Sequence, residues 1–473
     1  MMNRSSKRPK KLFTLLLGPL LFLLILILPI AGTNLSIKAA VGCVLWMGCW
    51  WITTPVGVAV TAFIPIVVNA VLQVLPMSDV ISNYFSEIVV LLLGADLIAI
   101  SWEETGLDKR LSLKALCLIG PSATQQIVVW FLLSTVLSMF LPNAVVCAIM
   151  VPVAVSMLRY LLDGDIMSHP ISPVILAAIA WGGGIGGLGT PLGGAMNLIS
   201  VDYLEQLLGH EFMYMDWIVR LVPFLVMLVA VDIAYLMFVK PKGVSLNGTK
   251  DYFRQTYQEL PKMSRDEAWS LGLFLAATLL SFARELFAAY LPAMKPAYLF
   301  LICGMLTFVI PKTDGQPLLT WKTAEKKVGW SLLLLFAGGL AVGKLISDSG
   351  AAAAIAALLT SLDLGGGFLT MLVLVASTVV LAEIASNTAA AAISLPIVIS
   401  VTQGLGLDPV PYVFVISAAF NVAYMLPTSI RAIPCGYGLP PAYLFKRGGI
   451  LTAASILLIA LLGQLALPLL SLA

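Results

Sequence analysis

Apolar runs separated by short polar ones fill nearly the whole chain. A helix needs about 20 apolar residues to cross roughly 30 Å of hydrocarbon. Runs of that kind lie near residues 12–30, 37–54, 56–75, 86–103, 172–200, 216–239, 267–291, 295–311, 328–347, 411–438 and 449–470. Two further apolar stretches, 115–160 and 366–404, are interrupted near the middle by polar tips, Pro142-Asn143 and Ser386-Asn387-Thr388. Each reads as a re-entrant hairpin of two half-length arms, the alternative being two full spans joined by a turn. The expected fold is therefore an all-α polytopic membrane protein with about eleven transmembrane helices and two re-entrant hairpins.

Composition narrows the class. Of 473 residues, 60% are hydrophobic and 11% charged, with a mean hydropathy of +1.00, whereas soluble domains carry about 25% charged residues. A net charge of +3, with its basic residues in short loops, points to orientation in a lipid bilayer and not to nucleic acid. The six cysteines fall singly, without a Cys-x-x-Cys or a Cys/His cluster, and read as packing residues. His169 and His210 are the only histidines, and no Ser/His, Cys/His or metal-ligand spacing is present, which argues against an enzyme. Arg4 to Lys11 ahead of the first apolar run could start a signal peptide. The run is long for one and no A-x-A-like site follows, so it reads as a retained span.

Basic residues favour cytoplasmic loops. With the N-terminus inside and two-sided hairpins, spans four, six, eight and ten end at Lys109/Arg110/Lys114, Lys240–Arg265, Lys312–Lys327 and Lys446/Arg447. The outer stretch 75–86 has no Lys or Arg, 200–215 has Asp202, Glu205 and Glu211, and 348–366 has Asp348 and Asp363. Only Lys38 and Lys295 stand near outer ends. The bookkeeping puts the C-terminus outside and makes the hairpins enter from opposite faces, the first from the cytoplasm. The membrane expected is the bacterial inner membrane.

A repeat carries the same message. Gly94, Gly106, Asn143 and Pro152 are spaced as Gly338, Gly350, Asn387 and Pro396, each pair 244 apart (387 − 143 = 244). Two inverted halves, 1–240 and 267–473 joined by a linker at 241–266, are the layout of many secondary transporters, whose sites lie between broken helices near the midplane. A break is expected after each hairpin, at 181–197 (WGGGIGGLGTPLGGAMN) and 424–438 (YMLPTSIRAIPCGYG), both too rich in Gly or Pro for a plain helix. A Gly-rich packing face is the alternative. The tips and breaks would gather Asn143, Thr190, Ser386, Asn387, Thr388, Thr428 and Ser429. Such neutral groups suit an anion when helix N-termini are aimed at it. A channel is also open, although tips entering from opposite sides fit alternating access better.

The chain resembles the divalent anion sodium symporter family over almost its full length, through PVGVAVTAFIPIVV in span three, EIASNTAAAAISLPIV around Asn387, and Gly189-Thr190-Pro191. The resemblance implies elevator-type carriage of di- and tricarboxylates or sulfate, a homodimer through a scaffold domain, no cofactor, and Na+ as coupling ion. Possible sodium ligands are Ser138, Asn143, Gly189 and Asn387. The chain departs from the family pattern at three points: Pro142-Asn143-Ala144 in place of Ser-Asn-Thr, Gly189-Thr190-Pro191-Leu192 in place of Thr-Pro-Pro-Asn, and a shortened second break with Arg431 where the family has Asn. Arg431 at membrane depth costs roughly 2.5–3.5 kcal/mol on insertion scales. It could hold a substrate carboxylate bidentately and replace a cation, giving sodium-independent anion exchange, or it could lie near the cytoplasmic end, snorkelling to headgroups or pairing with a protein carboxylate.

Overall fold

The computed structural model describes residues 7–29, 32–162, 164–351, 354 and 366–471. Arg4 and the outer-loop Asp363 lie outside the described residues. Among the described residues the fold is all helical, without strands. Seven helices among the described residues are long and apolar enough to cross a membrane, from Leu35–Thr53 to Pro441–Leu470.

Both hairpins form as paired helices, Ala123–Ser138 with Asn143–Leu161 and Phe368–Ile384 with Asn387–Gly404. Pro142 starts the first outbound arm as its N-cap, and the Ser386 side chain accepts from the Ala389 N–H to start the second. Pro152 and Pro396 sit inside the two outbound arms.

The breaks also form. The first divides Ser172–Gly186 from Ala195–Leu208 through two short 3-10 turns. In the second, Pro409–Ala419 ends well short of the expected span, and the chain is irregular until Ser429–Arg431. Two other spans are shorter than hydropathy suggests. The stretch 56–75 divides into Val58–Thr61 and Ile64–Leu72, Pro65 being tolerated in the first turn of the latter. The helix Arg265–Phe282 stops at a turn before Arg284–Phe287.

The first hairpin packs along Ser172–Gly186, the half before the first break. There Gly182 and Gly186 lie so close against the backbone of Phe131 and Thr135 that a Cβ would overlap it. The outbound arm of the second hairpin packs along Ala195–Leu208, the half after the same break, and both its arms pack on Pro409–Ala419. Both tips lie at the break, so the arms run away from it in opposite directions.

The repeated glycines have matching jobs. Gly94 abuts the backbone of Phe300 and Leu301, and Gly338 abuts Ala62, so the fourth span presses onto the eighth and the ninth onto the third. Gly106 and Gly350 both adopt left-handed backbone, at φ +78° and +82°, where helices end. The two lysines expected near outer ends are each held locally: Lys38 donates to the Leu28 carbonyl at 2.6 Å, and Lys295 pairs with Glu87 at 2.8 Å.

Candidate functional site

One cavity, about 160 Å³ in volume, lies where the tips and breaks meet. Asn143 and Ala144 of the first tip, Asn387 and Thr388 of the second, Gly194 and Ala195 of the first break and Ser429 and Ile430 of the second all line it. The opposite wall comes from the fourth span and its neighbours, with Asp96, Trp102, Phe274 and Phe300. Asn143, Asn387 and Thr388 are each more than nine-tenths buried. Both outbound arms begin at this cavity, so two helix N-termini with their unpaired N–H groups face it.

The first tip is held from behind. The Ser138 hydroxyl is 2.8 Å from Asn143 Oδ1 and 2.7 Å from the Gly183 carbonyl, and Asn143 Nδ2 donates to the Gly184 carbonyl at 3.3 Å. Asn197 Nδ2 donates to the carbonyls of Gly187 and Thr190 at 2.6 and 2.9 Å, closing the unwound turn. Asn421 Nδ2 donates to Asn197 Oδ1 at 3.1 Å, tying the first break to the segment leading into the second.

These residues leave oxygen atoms over. Asn387 Oδ1 and Asn421 Oδ1 are buried without a hydrogen-bond partner. A side chain at Gly187 would come within 2.9 Å of Asn143 Oδ1 and 3.1 Å of Asn421 Oδ1, so the two amide oxygens converge beside a glycine. Unpaired buried carbonyl oxygens are costly unless something binds them. A hard monovalent cation suits that donor set.

The second break hangs on Glu383. Its carboxylate accepts from the amides of Tyr424, Met425 and Leu426 at 2.6, 2.9 and 3.0 Å, and from the Thr452 hydroxyl at 3.0 Å. Its backbone carbonyl accepts from the Thr428 hydroxyl at 2.8 Å. Glu383 thus holds an unwound segment whose amides have no helical partners.

The match to known sequences and folds follows this geometry. The family model for CitMHS, described as citrate transporter, matches residues 48–419. The chain belongs to this citrate transporter family. It is a membrane transporter and not an enzyme. A sodium-dependent dicarboxylate transporter, SdcS of Staphylococcus saprophyticus, is 32% identical over 447 residues, covering 90% of this chain and 86% of the relative. The protein of the same name from Staphylococcus aureus is 31% identical over 474 residues, covering 94% and 88%. The crystal structure of the Alcanivorax borkumensis YdaH transporter, described as having an unusual topology, is 13% identical. It covers 82% of this chain and 87% of its own at a TM-score of 0.52, a likeness of fold alone.

Within this citrate-transporter family member, the residues expected at the site divide into two groups. Asn143, Asn387, Thr388 and Ser429 reach the cavity. Ser138, Ser386, Thr190 and Thr428 lie behind it: the Thr190 hydroxyl donates to the Met139 carbonyl, and Thr428 is held by Glu383. Gly189 packs against the Met139 side chain.

Arg431 is not among the cavity-lining residues. It is 1% exposed and donates to the carbonyls of Leu426 and Ala423 at 2.7 and 2.8 Å and to Thr428 Oγ1 at 2.9 Å, with Glu383 at 3.7 Å. Its donors are taken by the break itself, which leaves no fork free for a carboxylate and removes the physical basis for its replacing a cation. The pairing with a protein carboxylate is the arrangement found. Asn197 and Asn421 are the residues that sequence reasoning missed. The signal was present, because each is a lone amide inside an apolar run, AMNLI and AAFNVAY.

Proposed function

We propose that this chain carries small di- and tricarboxylate anions across the bacterial inner membrane, coupled to sodium, by alternating access of the elevator type. The observation that carries the reading is the convergence of two hairpin tips from opposite directions on one cavity, with Asn387, whose Oδ1 is orphaned, in its lining and the orphaned Asn421 oxygen at Gly187 of the first break. The helix N-termini and the amides of Asn143 and Asn387 would take the carboxylates. Thr388 and Ser429 would add hydroxyl donors.

Sodium is cargo in this reading. Asn143 Oδ1, Asn421 Oδ1, the carbonyls around Gly187 and Ser138 Oγ would hold one ion at the first tip, and Asn387 Oδ1 a second. A cation there neutralises part of the substrate charge, which explains a carboxylate site without a cationic side chain in its lining. The names of the staphylococcal relatives agree with sodium coupling and dicarboxylate substrates.

The transport body in this reading comprises both hairpins and both broken helices, and the scaffold comprises the third, fourth, seventh, eighth and ninth spans. The halves are 1–240 and 267–473, and a homodimer forms through the scaffold. The N-terminus is cytoplasmic and the C-terminus is outside. The test is uptake of one labelled dicarboxylate into proteoliposomes, challenged by citrate, malate, 2-oxoglutarate, tartrate and sulfate with and without sodium. Competition by the dicarboxylates and citrate in sodium is expected. Competition by sulfate alone would overturn the substrate class.

A further inference from the structure

Asp232 is a carboxylate deep within the span Tyr214–Val239, with none of its surface exposed. Among the described residues its one hydrogen-bond partner is the hydroxyl of Tyr424, 3.2 Å from each carboxyl oxygen. One hydrogen shared between two oxygens gives each only a weak bond. The distance is also long for a hydroxyl donating to an ionised carboxylate, where about 2.5–2.7 Å is usual.

The surroundings offer no paired countercharge: Lys446 and Arg447 of the packed last helix form no ion pair with Asp232, and Arg447 lies toward Tyr235 instead. Among the described residues no Lys, Arg or His forms an ion pair with Asp232. The packed elements Ser172–Gly186 and Ala123–Ser138 carry no charged residue, and Pro409–Ala419 brings only Tyr412 as a titratable group. On the span itself, Tyr235 donates to the Arg447 carbonyl of the last helix. That helix turns Thr452 and Ser455 inward beside Tyr424, neither of which ionises. On Arg265–Phe282, Glu267 is taken by Arg110 at 2.7 Å. Beyond Tyr424 stands Glu383, taken by three backbone amides and Arg431. A buried carboxylate with no counterion and half a donor is stable only when neutral.

We propose that Asp232 is a proton-binding site, donating its own hydrogen to the Tyr424 oxygen and so fixing the second break behind the transport cavity. The reversed bond frees the Tyr424 hydrogen for the neighbouring Ser455 hydroxyl, which is buried and otherwise unpartnered. The Tyr424 amide donates to Glu383 at 2.6 Å, so the ring and the unwound segment are positioned together. A few residues on, Ser429 and Ile430 line the cavity. Asp232 touches neither substrate nor tip and acts as a positioning residue. Its effect on transport rests on the reading of that cavity as the carboxylate site; its protonation does not.

Infrared spectroscopy of the purified carrier in lipid at neutral pH tests the proton directly. A carboxylic-acid C=O band is expected that moves on exchange into D2O, is missing from Asp232→Asn and is displaced in Tyr424→Phe. In the uptake assay Asp232→Asn, neutral and of the same shape, keeps the wild-type KM. Asp232→Ala, which drops the bond, raises it by about 2–10-fold.

An ionised-carboxylate band lost in Asp232→Asn, with no acid band lost, would overturn the proposal. If Asp232→Asn does not fold, the Tyr424→Phe displacement carries the assignment, and an acid band indifferent to that change also overturns it. A band that behaves as expected in a wild-type protein that takes up no carboxylate would refute the function proposed above while leaving the proton site standing.

Discussion

At the scale of single residues, the polar groups that the tips and breaks bring to a mostly apolar cavity are amides and hydroxyls, and the charges close to it serve the backbone, Asp96 accepting from the Gly329 amide and Glu383 from three others. Asn387→Ala removes an amide from the second tip. A hydrogen bond to a charged group contributes about 1.5–3 kcal/mol, so dicarboxylate affinity should fall by about 10–100-fold, read by binding to purified protein. Glu383→Ala should act differently. It strips three amides of their acceptor and leaves the buried Arg431 without its carboxylate, a loss of about 3–5 kcal/mol that a lowered Tm in detergent would show. Wild-type Tm in that variant would contradict the role given to Glu383. The sequence marks Arg431 as a charge out of place, but not which way it faces. Membrane depth is legible from hydropathy, but the direction of a guanidinium depends on which carbonyls the unwound chain leaves open, a tertiary fact.

At the scale of elements, the hairpins and breaks were legible because Gly, Pro and Asn interrupt long apolar runs at matched places. Lengths were less so. Pro409–Ala419 stops after eleven residues although apolar residues continue, because the Glu383 carboxylate offers the following amides a partner that competes with the helix. Gly187 shows how an element makes a site. Its missing side chain admits the oxygens of Asn143 and Asn421, so Gly187→Ala should raise the sodium concentration for half-maximal uptake by about tenfold or more. An unchanged sodium dependence would move the ion away from the first break.

At the scale of the whole molecule, the fourth span closes on the eighth through Gly94 and the ninth on the third through Gly338. Loop charge predicts an inverted arrangement, with the two hairpins entering from opposite faces. Tyr160 and Gly404 end the two outbound arms, 244 positions apart and both exposed. In a background without the native cysteines, Tyr160→Cys should react with an impermeant thiol reagent only from the cytoplasmic side and Gly404→Cys only from outside. Labelling of both from one side would refute the inverted topology.

The central claim is that the two tips build one sodium-coupled carboxylate site. Its most direct test is uptake of labelled dicarboxylate into proteoliposomes holding the wild-type chain, with an inward sodium gradient, with equal sodium on both sides, and with none. The account predicts accumulation above equilibrium only with the gradient, abolished in Asn387→Ala. Equal uptake in the three conditions, driven only by dicarboxylate loaded on the other side, would contradict it and restore anion exchange.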